Sequence, residues 1–347
     1  MRGRGAGRMP EINEAITRFL DRAPSITVLV VGDCMLDAYV SGAAFRISPE
    51  APVPIVNVSR RRYLPGGAAN VAANARAMGA QVAIAGVTGV DESGVRLRQE
   101  LERRDIGMEA LVEDATRATI TKTRITAAGQ QIVRFDDEDL APFAQPLLAE
   151  LKSRCATALG SAHVCVISDY AKGVASDAFC RWLIDEAARL KVPVVVDPKS
   201  RDLSRYRGAS VITPNLKEAM EAAAALPGSA PDPCADLDPL ARLLLPRIAP
   251  SALLVTRGEA GMSLFENGKQ EIHLPALVNE VADVTGAGDT VVSALAIALG
   301  VGLNLHRAAQ IANIAAAVAV GHHGTWAVRA DELKDAAARL AEAARAC

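Results

Sequence analysis

The stretch Asp283-Val284-Thr285-Gly286-Ala287-Gly288-Asp289 joins an unhindered backbone to carboxylates, and the apolar run Thr290 to Leu299 follows at once. Two glycines around an alanine let the chain turn tightly and approach a ligand with no Cβ in the way. The run that follows is apolar almost all round, the pattern of a buried helix. The N–H groups of Gly286, Ala287 and Gly288 would then lie at its unpaired, electropositive N-terminus, where anions bind. Asp289 falls in the first turn. An anion cradle with a carboxylate on its lip suits phosphoryl transfer to a hydroxyl, with the carboxylate taking the proton. Capping by Thr285 or Asp289 would use the same residues, and this stretch alone does not separate the two readings.

Further chemistry-bearing residues gather at the ends of apolar runs. Asp33 and Asp37 follow Ile26 to Val31, a run without polar alternation that fits a strand buried on both faces of a parallel sheet. Acids just past the carboxyl end of such a strand are expected to meet a ligand. Pro65-Gly66-Gly67-Ala68-Ala69-Asn70 opens a helix with a second glycine pair, where substrate can touch backbone and Asn70 can donate to and accept from a hydroxyl. Asp169 to Gly173, Asp197-Pro198-Lys199, Thr213 to Glu218 and Thr256 to Gly261 follow four more strand-like runs. Asn215 and Glu218, at i and i+3, share one helix face and could hold Mg²⁺ through water. Asp169 and Lys172 are expected on the substrate side. Asn215 and Glu218 would meet phosphate oxygens, and Lys199 and Gly261 are expected on the same, nucleotide side.

These residues need a frame. From Phe143 on, helix-like stretches alternate with short apolar runs: a helix over 143–159, a strand over 163–168, a helix over 176–190, then strands at 192–196, 210–213 and 252–256. Such alternation implies a mostly parallel sheet covered on both sides, an α/β fold of three layers. Two patches differ. Residues 38–62 and 108–137 carry alternating β-branched stretches and prolines, which suit a small subsidiary sheet. It would serve as a lid that excludes water, or as the surface of a homodimer. Residues 26–330 are therefore read as one domain, 331–347 as a C-terminal helix, and 1–25 as a partly disordered leader. The Pro-rich segment 226–239 reads as a surface loop.

Composition narrows the class. A formal charge of -2 over 347 residues argues against nucleic acid as a partner. No uninterrupted apolar run approaches the roughly 18 residues of a membrane span, and the basic, Gly-rich N-terminus lacks the apolar core of a signal peptide. Six cysteines without a C-x-x-C pair disfavour disulfides and zinc. A cytoplasmic location is expected. No G-x-x-x-x-G-K-[ST] is present, and no G-x-G-x-x-G follows the first strand, so neither a P-loop nor a dinucleotide site is expected. His322-His323 read as polar loop residues.

The two glycine motifs and Asn215-x-x-Glu218, in this order, resemble the ribokinase-like (PfkB) carbohydrate kinases over roughly Ile26 to Val328. The resemblance implies an α/β/α sandwich with a β lid, and ATP- and Mg²⁺-dependent phosphorylation of a small hydroxylated substrate. It makes Asp289 the base and Gly286, Ala287 and Gly288 the anion hole. Asp37, Gly66, Gly67 and Asn70 would hold the sugar, and Thr256, Gly258 and Asn313 the nucleotide. Asp283 matches a position that helps bind a monovalent cation, K⁺.

Within that family, Arg46 to Pro54 and Ser168 to Gly173 look like the D-glycero-β-D-manno-heptose-7-phosphate kinases of lipopolysaccharide biosynthesis. The resemblance implies a sugar-phosphate acceptor and, since His322-His323-Gly324 is not the H-x-G-H of a nucleotidyltransferase, a stand-alone kinase. A phosphate calls for cations, and Arg46, Lys122, Arg124, Arg134 and Lys172 lie in lid or strand-end segments. Other acceptors of the family, such as fructose, ribose or a nucleoside, stay open, as does a non-catalytic sugar- or nucleotide-binding regulator.

Overall fold

Val28 and Val30 pack into one hydrophobic core while Leu29 and Val31 pack into a second, so the first strand is buried on both faces. That is the physical reason for its unbroken apolar run. The computed structural model describes residues 9–226, 237–249, 251–277 and 281–346. Nine of the described strands form the main sheet: β1 (Thr27–Gly32), β4 (Gln81–Gly89), β5 (Gly107–Asp114), β8 (Val164–Ser168), β9 (Val194–Asp197), β10 (Val211–Ile212), β11 (Ala252–Thr256), β12 (Met262–Phe265) and β13 (Ile272–Leu274). Their order is β13-β12-β11-β10-β9-β8-β1-β4-β5. All neighbours are parallel except β11–β12 and β12–β13.

Helices α1 (Met9–Arg22), α2 (Ala68–Ala77), α3 (Glu92–Glu102), α8 (Ala287–Gly300), α9 (Leu305–Val320) and α10 (Ala330–Ala346) contribute to the core on one face. Helices α4 (Gln145–Leu159), α5 (Asp177–Leu190), α6 (Leu216–Ala224) and α7 (Asp238–Ile248) contribute to the core on the other. The result is the expected three-layer α/β/α arrangement. The chain leaves β1 toward β4 on one side and meets β8 on the other, so the strand order reverses there. Crevices at such a switch point bind ligands at the carboxyl ends of the strands. Helix α8 packs across β1, β8 and β9. Its N-terminus is thereby delivered to that edge.

The second sheet runs β3-β2-β6-β7, with β2 (Cys34–Ile47), β3 (Pro54–Gly67), β6 (Thr121–Ala127) and β7 (Gln130–Asp137). It matches the expected lid with one correction. Residues 107–114 pair with β4 in the main sheet, because Ala110 to Val112 are buried there, so the second lid segment begins only at Thr121. The expectation of a leader over residues 1–25 is also corrected. Residues 9–22 are helical, and Ile12, Ile16 and Phe19 are buried in the core that includes Leu333 and Ala337 of α10. Residues 1–8 lie outside the described residues, as does most of the expected 226–239 loop; α7 starts at Asp238 with proline in its first turn. Four buried cysteines, Cys34, Cys155, Cys165 and Cys180, are unbridged, and burial pushes the Cys155 and Cys180 thiols up to about 12. Cys234 and Cys347 lie outside the described residues. No described helix is long and apolar enough to cross a membrane.

Candidate active site

Gly286 caps α8 at φ +79°, in the left-handed region that a side chain disfavours. A Cβ there would also stand 3.2 Å from the Asn70 amide nitrogen. One turn on, the Asp289 carboxylate is 7% exposed and receives two hydrogen bonds. Asn70 Nδ2 donates to Oδ2 at 2.5 Å and Tyr170 Oη donates to Oδ1 at 2.8 Å. Buried polar contacts hold α2 and α8 in this relation. Thr290 Oγ1 donates to Asn74 Oδ1 at 2.9 Å, and Ser293 Oγ to the Val71 carbonyl at 2.9 Å. Burial pushes the Asp289 carboxyl up to about 6, against the downward pull of Asn70 and Tyr170, with the Asp37 charge adding to the rise. A carboxylate so placed is ionised at neutral pH and is a better proton acceptor than an exposed one.

Of the expected anion hole, Ala287 N–H donates to the Val284 carbonyl at 3.2 Å. Among the described residues no protein acceptor is found for the N–H of Gly286 or Gly288, and a Cβ on Gly288 would meet open space. The cradle is thus formed and faces a void. That void is a cleft of about 610 Å³, lined by Thr256, Gly258, Gly261, Asn313, Ala287 and Gly288 among others. All four expected nucleotide residues of the 256–261 and 313 segments are therefore brought to the amide cradle. Asn313 Nδ2 donates to the Pro275 carbonyl at 2.8 Å, which ties α9 to the chain after β13.

Lys199, Asn215 and Glu218 are gathered beside this cleft without lining it. Asn215 and Glu218 form a capping box at the start of α6, and Lys199 Nζ lies 2.7 Å from Glu218 Oε1. Their i, i+3 relation thus first satisfies the helix end. Asp197, at the end of β9, makes no side-chain hydrogen bond or ion pair among the described residues, and its carboxyl is raised well above the usual range by burial and then by the nearby Asp289 and Glu218 charges. The Lys199 charge pulls it back only in part, and a carboxylate held near Asp289 and Glu218 suits a divalent cation, since Mg²⁺ takes one or two carboxylates and keeps its waters. No described group of three or more His, Cys, Asp or Glu forms a protein-only cage. Asp283 is differently employed. Its Oδ1 accepts from Thr285 N and Oγ1 at 2.9 and 2.7 Å, its Oδ2 from Gly324 N at 2.9 Å, and the Thr285 bonds hold its carboxyl below the usual range. Its side chain pins two loops together.

On the acceptor side, Asp37 Oδ1 pairs with Arg124 Nη1 at 2.6 Å. Gly66 lies against this carboxylate; a Cβ there would stand 2.7 Å from Asp37 Oδ2. Gly67, at φ +55°, continues into α2 and so places Asn70. Lys172 pairs with Glu138 at 2.7 Å, and Arg134 with Asp136 at 2.9 Å. Two expected substrate residues are placed otherwise. Asp33 is 1% exposed and its carboxylate accepts the N–H groups of Tyr170, Lys172 and Val174 at 2.9, 2.9 and 3.1 Å, a cage that leaves nothing for a sugar. Asp169 is 3% exposed; it accepts the Ala171 N–H at 2.7 Å and the Tyr206 hydroxyl. Both are structural because the strand-end loop 169–174 needs acceptors for its amides. Tyr170, the residue that reaches Asp289, belongs to the Ser168 to Gly173 stretch, and nothing in its type or spacing ties it to Asp289.

Residues 25–331 match the model of the pfkB family carbohydrate kinases. The chain belongs to that family. Proteins named HldE are among its relatives. The bifunctional protein HldE of Citrifermentans bemidjiense is 46% identical over 318 residues, 92% of this chain and 64% of that protein. The HldE protein of Caulobacter vibrioides is 46% identical over 309 residues, 88% of this chain and 62% of that one. This kinase thus spans less than two thirds of the length of those relatives. Among solved structures, the phosphofructokinase-2 of Escherichia coli in complex with substrates and products superposes with a TM-score of 0.72 at 20% identity, covering 91% of this chain and 99% of that one. The ribokinase of Arabidopsis thaliana with ribose and ATP gives 0.67 at 17%, covering 91% and 98%. These likenesses establish the ribokinase-like fold of the kinase.

Proposed function

We propose that this sugar kinase transfers the γ-phosphoryl group of ATP to the anomeric 1-hydroxyl of D-glycero-β-D-manno-heptose 7-phosphate, in the cytoplasmic route to ADP-heptose for lipopolysaccharide. The observation that carries an acceptor with its own phosphate is a row of cations across the lid. Arg62, Tyr39, Arg124 and Arg134 stand in register on four adjacent strands, and the next row on that face holds Asp37, Lys122 and Asp136. Residues in register share one face of a sheet. The cations therefore stand with the carboxylate expected to hold the sugar. The Arg124 guanidinium also lies 5.2 Å from the centre of the Tyr39 ring, which stiffens it. An unphosphorylated sugar offers nothing for such a row. The resemblance of residues 46–54 and 168–173 to the heptose-phosphate kinases supports the same acceptor.

In this reading Asp289 accepts the proton of the 1-hydroxyl as its oxygen attacks phosphorus, and the Gly286 and Gly288 amides, joined by Ala287, face the oxygens of the transferring group. Asn70, Asp37 and the Gly66-Gly67 backbone orient the sugar. Mg²⁺, when bound, neutralises the polyphosphate, and Asp197 and Glu218 would hold it through water. A dependence on K⁺ would act through the 283–285 and 324 loops that Asp283 ties together.

Arg124→Ala and Lys172→Ala are expected to raise KM for the sugar phosphate about 10- to 100-fold, because a charge-assisted contact contributes about 1.5–3 kcal/mol. The measurement is ADP release across a panel of sugars and sugar phosphates. Unchanged KM in both variants, or faster turnover of fructose, ribose or a nucleoside, would sink this acceptor. We also propose a homodimer through the lid. Phe135 and Val133, 54% and 45% exposed, alternate with Arg134 and Asp136 and so point to the opposite face. A monomeric mass by light scattering at assay concentration would count against the dimer.

A further inference from the structure

Both oxygens of the catalytic carboxylate are occupied before any substrate arrives. Asn70 takes one and the Tyr170 phenol takes the other. Asn70 is fixed by α2. Tyr170 lies on a strand-end loop, and that loop is held in an unusual way. Its amides at 170, 172 and 174 converge on the single buried carboxylate of Asp33. Such a path needs tight turning, and Ala171 and Gly173 both take positive φ, at +57° and +119°. The left-handed alanine carries local strain, tolerated where the surroundings over-determine it. On the lid side, Lys172 of the same loop pairs with Glu138 just beyond β7. The loop thus joins the acid at the end of β1, the catalytic base and the lid.

We propose that Tyr170 is a positioning residue whose phenol, aimed by the Asp33 amide cage, orients the Asp289 carboxylate and occupies the place of the acceptor hydroxyl until that hydroxyl displaces it. This rests on the reading of Asp289 as the base. A hydroxyl that gives its proton to Asp289 must come within about 2.6–3.2 Å of a carboxylate oxygen. The Tyr170 oxygen already stands at 2.8 Å from Oδ1. Its own proton is held firmly, because burial and then the Asp289, Asp197 and Asp37 charges raise the phenol well above its usual range. Tyr170 therefore donates to the carboxylate and does not compete with it as a base. Donation favours the ionised carboxylate over the acid, so the phenol keeps Asp289 ready in the empty site. The other groups facing Asp289 are Asp37 with its partner Arg124, Asp197, and the uncharged Asn70.

The test is the pH profile of kcat/KM, which reports groups of the free enzyme. In the wild type its acidic limb is expected near the Asp289 value of about 6. Tyr170→Phe keeps the ring and removes the hydroxyl. Its limb is expected to move to higher pH by about one unit, since a hydrogen bond to a charged group is worth about 1.5–3 kcal/mol and one unit is 1.36 kcal/mol. Above the limb, kcat should stay within about threefold of the wild type, because in the substrate complex the acceptor hydroxyl has taken the phenol's place. Titration of the acceptor's phosphate and of ATP is common to both enzymes, so the difference isolates the protein. Asp33→Asn should shift the limb in the same direction, and the double variant should add little, because both changes act through one phenol. An unmoved limb in a Tyr170→Phe enzyme of normal melting temperature and ATP affinity would overturn the proposal, as would full additivity. Activity retained by Asp289→Asn would instead overturn the base itself.

Discussion

Asp289→Asn is expected to give a folded protein that binds nucleotide normally and turns over about 10²- to 10⁴-fold more slowly, the usual contribution of a general base. The asparagine fits the same space. Its carbonyl can still accept from Asn70 Nδ2 and its amide can donate to the Tyr170 oxygen, so only the Tyr170 O–H, which donates to Asp289, gives up its acceptor. Stability should rise. A carboxyl raised from 3.8 to about 6 in the folded state favours the protonated form there. The penalty of ionising it on folding is therefore fully present above about pH 6 and disappears as pH falls through 6 toward 4. Near pH 8 that penalty is on the order of 3 kcal/mol at 1.36 kcal/mol per unit. Thermal melts at pH 8 and pH 4.5 test this, with the variant above the wild type only at the higher pH. Near-full activity in the variant would remove Asp289 from the mechanism, and a lower melting temperature at pH 8 would contradict the buried charge.

Asp33→Ala is expected to be the most damaging single change among the strand-end acids. Three N–H groups lose their acceptor at once, including that of Val174, whose residue is 2% exposed. At about 1–3 kcal/mol for each unpaired buried group, partly relieved by water at Tyr170 and Lys172, the loss should be about 3–5 kcal/mol. Chemical denaturation would read it as a lower midpoint with an unchanged m-value. Were Asp33 a sugar ligand, as its place after β1 suggests, the change would raise KM for the acceptor and leave the midpoint alone. The two outcomes separate a residue that touches substrate from one that shapes the loop beside it.

Much of the frame was legible along the chain because its signals are local. Val28 to Val31 are apolar on consecutive residues since each side of the strand meets its own core, and that pattern needs no knowledge of the partners. Thr290 to Ala298 are buried throughout, as their composition implies, and glycine is required at 286 by the positive φ of the cap. The cleft residues Thr256, Gly258 and Asn313 are legible only by resemblance to a family, since they come from separate segments and share no local pattern. Residues 9–22 read as part of a leader because a polar stretch such as Pro10-Glu11-Ile12-Asn13-Glu14 hides a one-sided apolar stripe. Ile12, Ile16 and Phe19 find their cover in α10, more than 300 residues away.

For the acids at strand ends, by contrast, type and spacing decided nothing. Asp33, Asp37, Asp169, Asp197 and Asp289 are the same side chain at similar depth along the fold. Neighbours supplied by other elements sort them. Three loop amides claim Asp33, Tyr206 and Ala171 claim Asp169, and Arg124 from the lid claims Asp37. Asp197 makes no side-chain hydrogen bond or ion pair among the described residues, and Asp289 alone meets both an amide of α2 and a half-buried phenol. The sequence by itself determined the layers, the glycine turns and the kind of group transfer they suit, since backbone freedom and apolar periodicity are written residue by residue. Only the tertiary structure separated the carboxylate we propose as the base from those that brace the loops, because a carboxyl's role depends on burial and partners that distant segments bring to it.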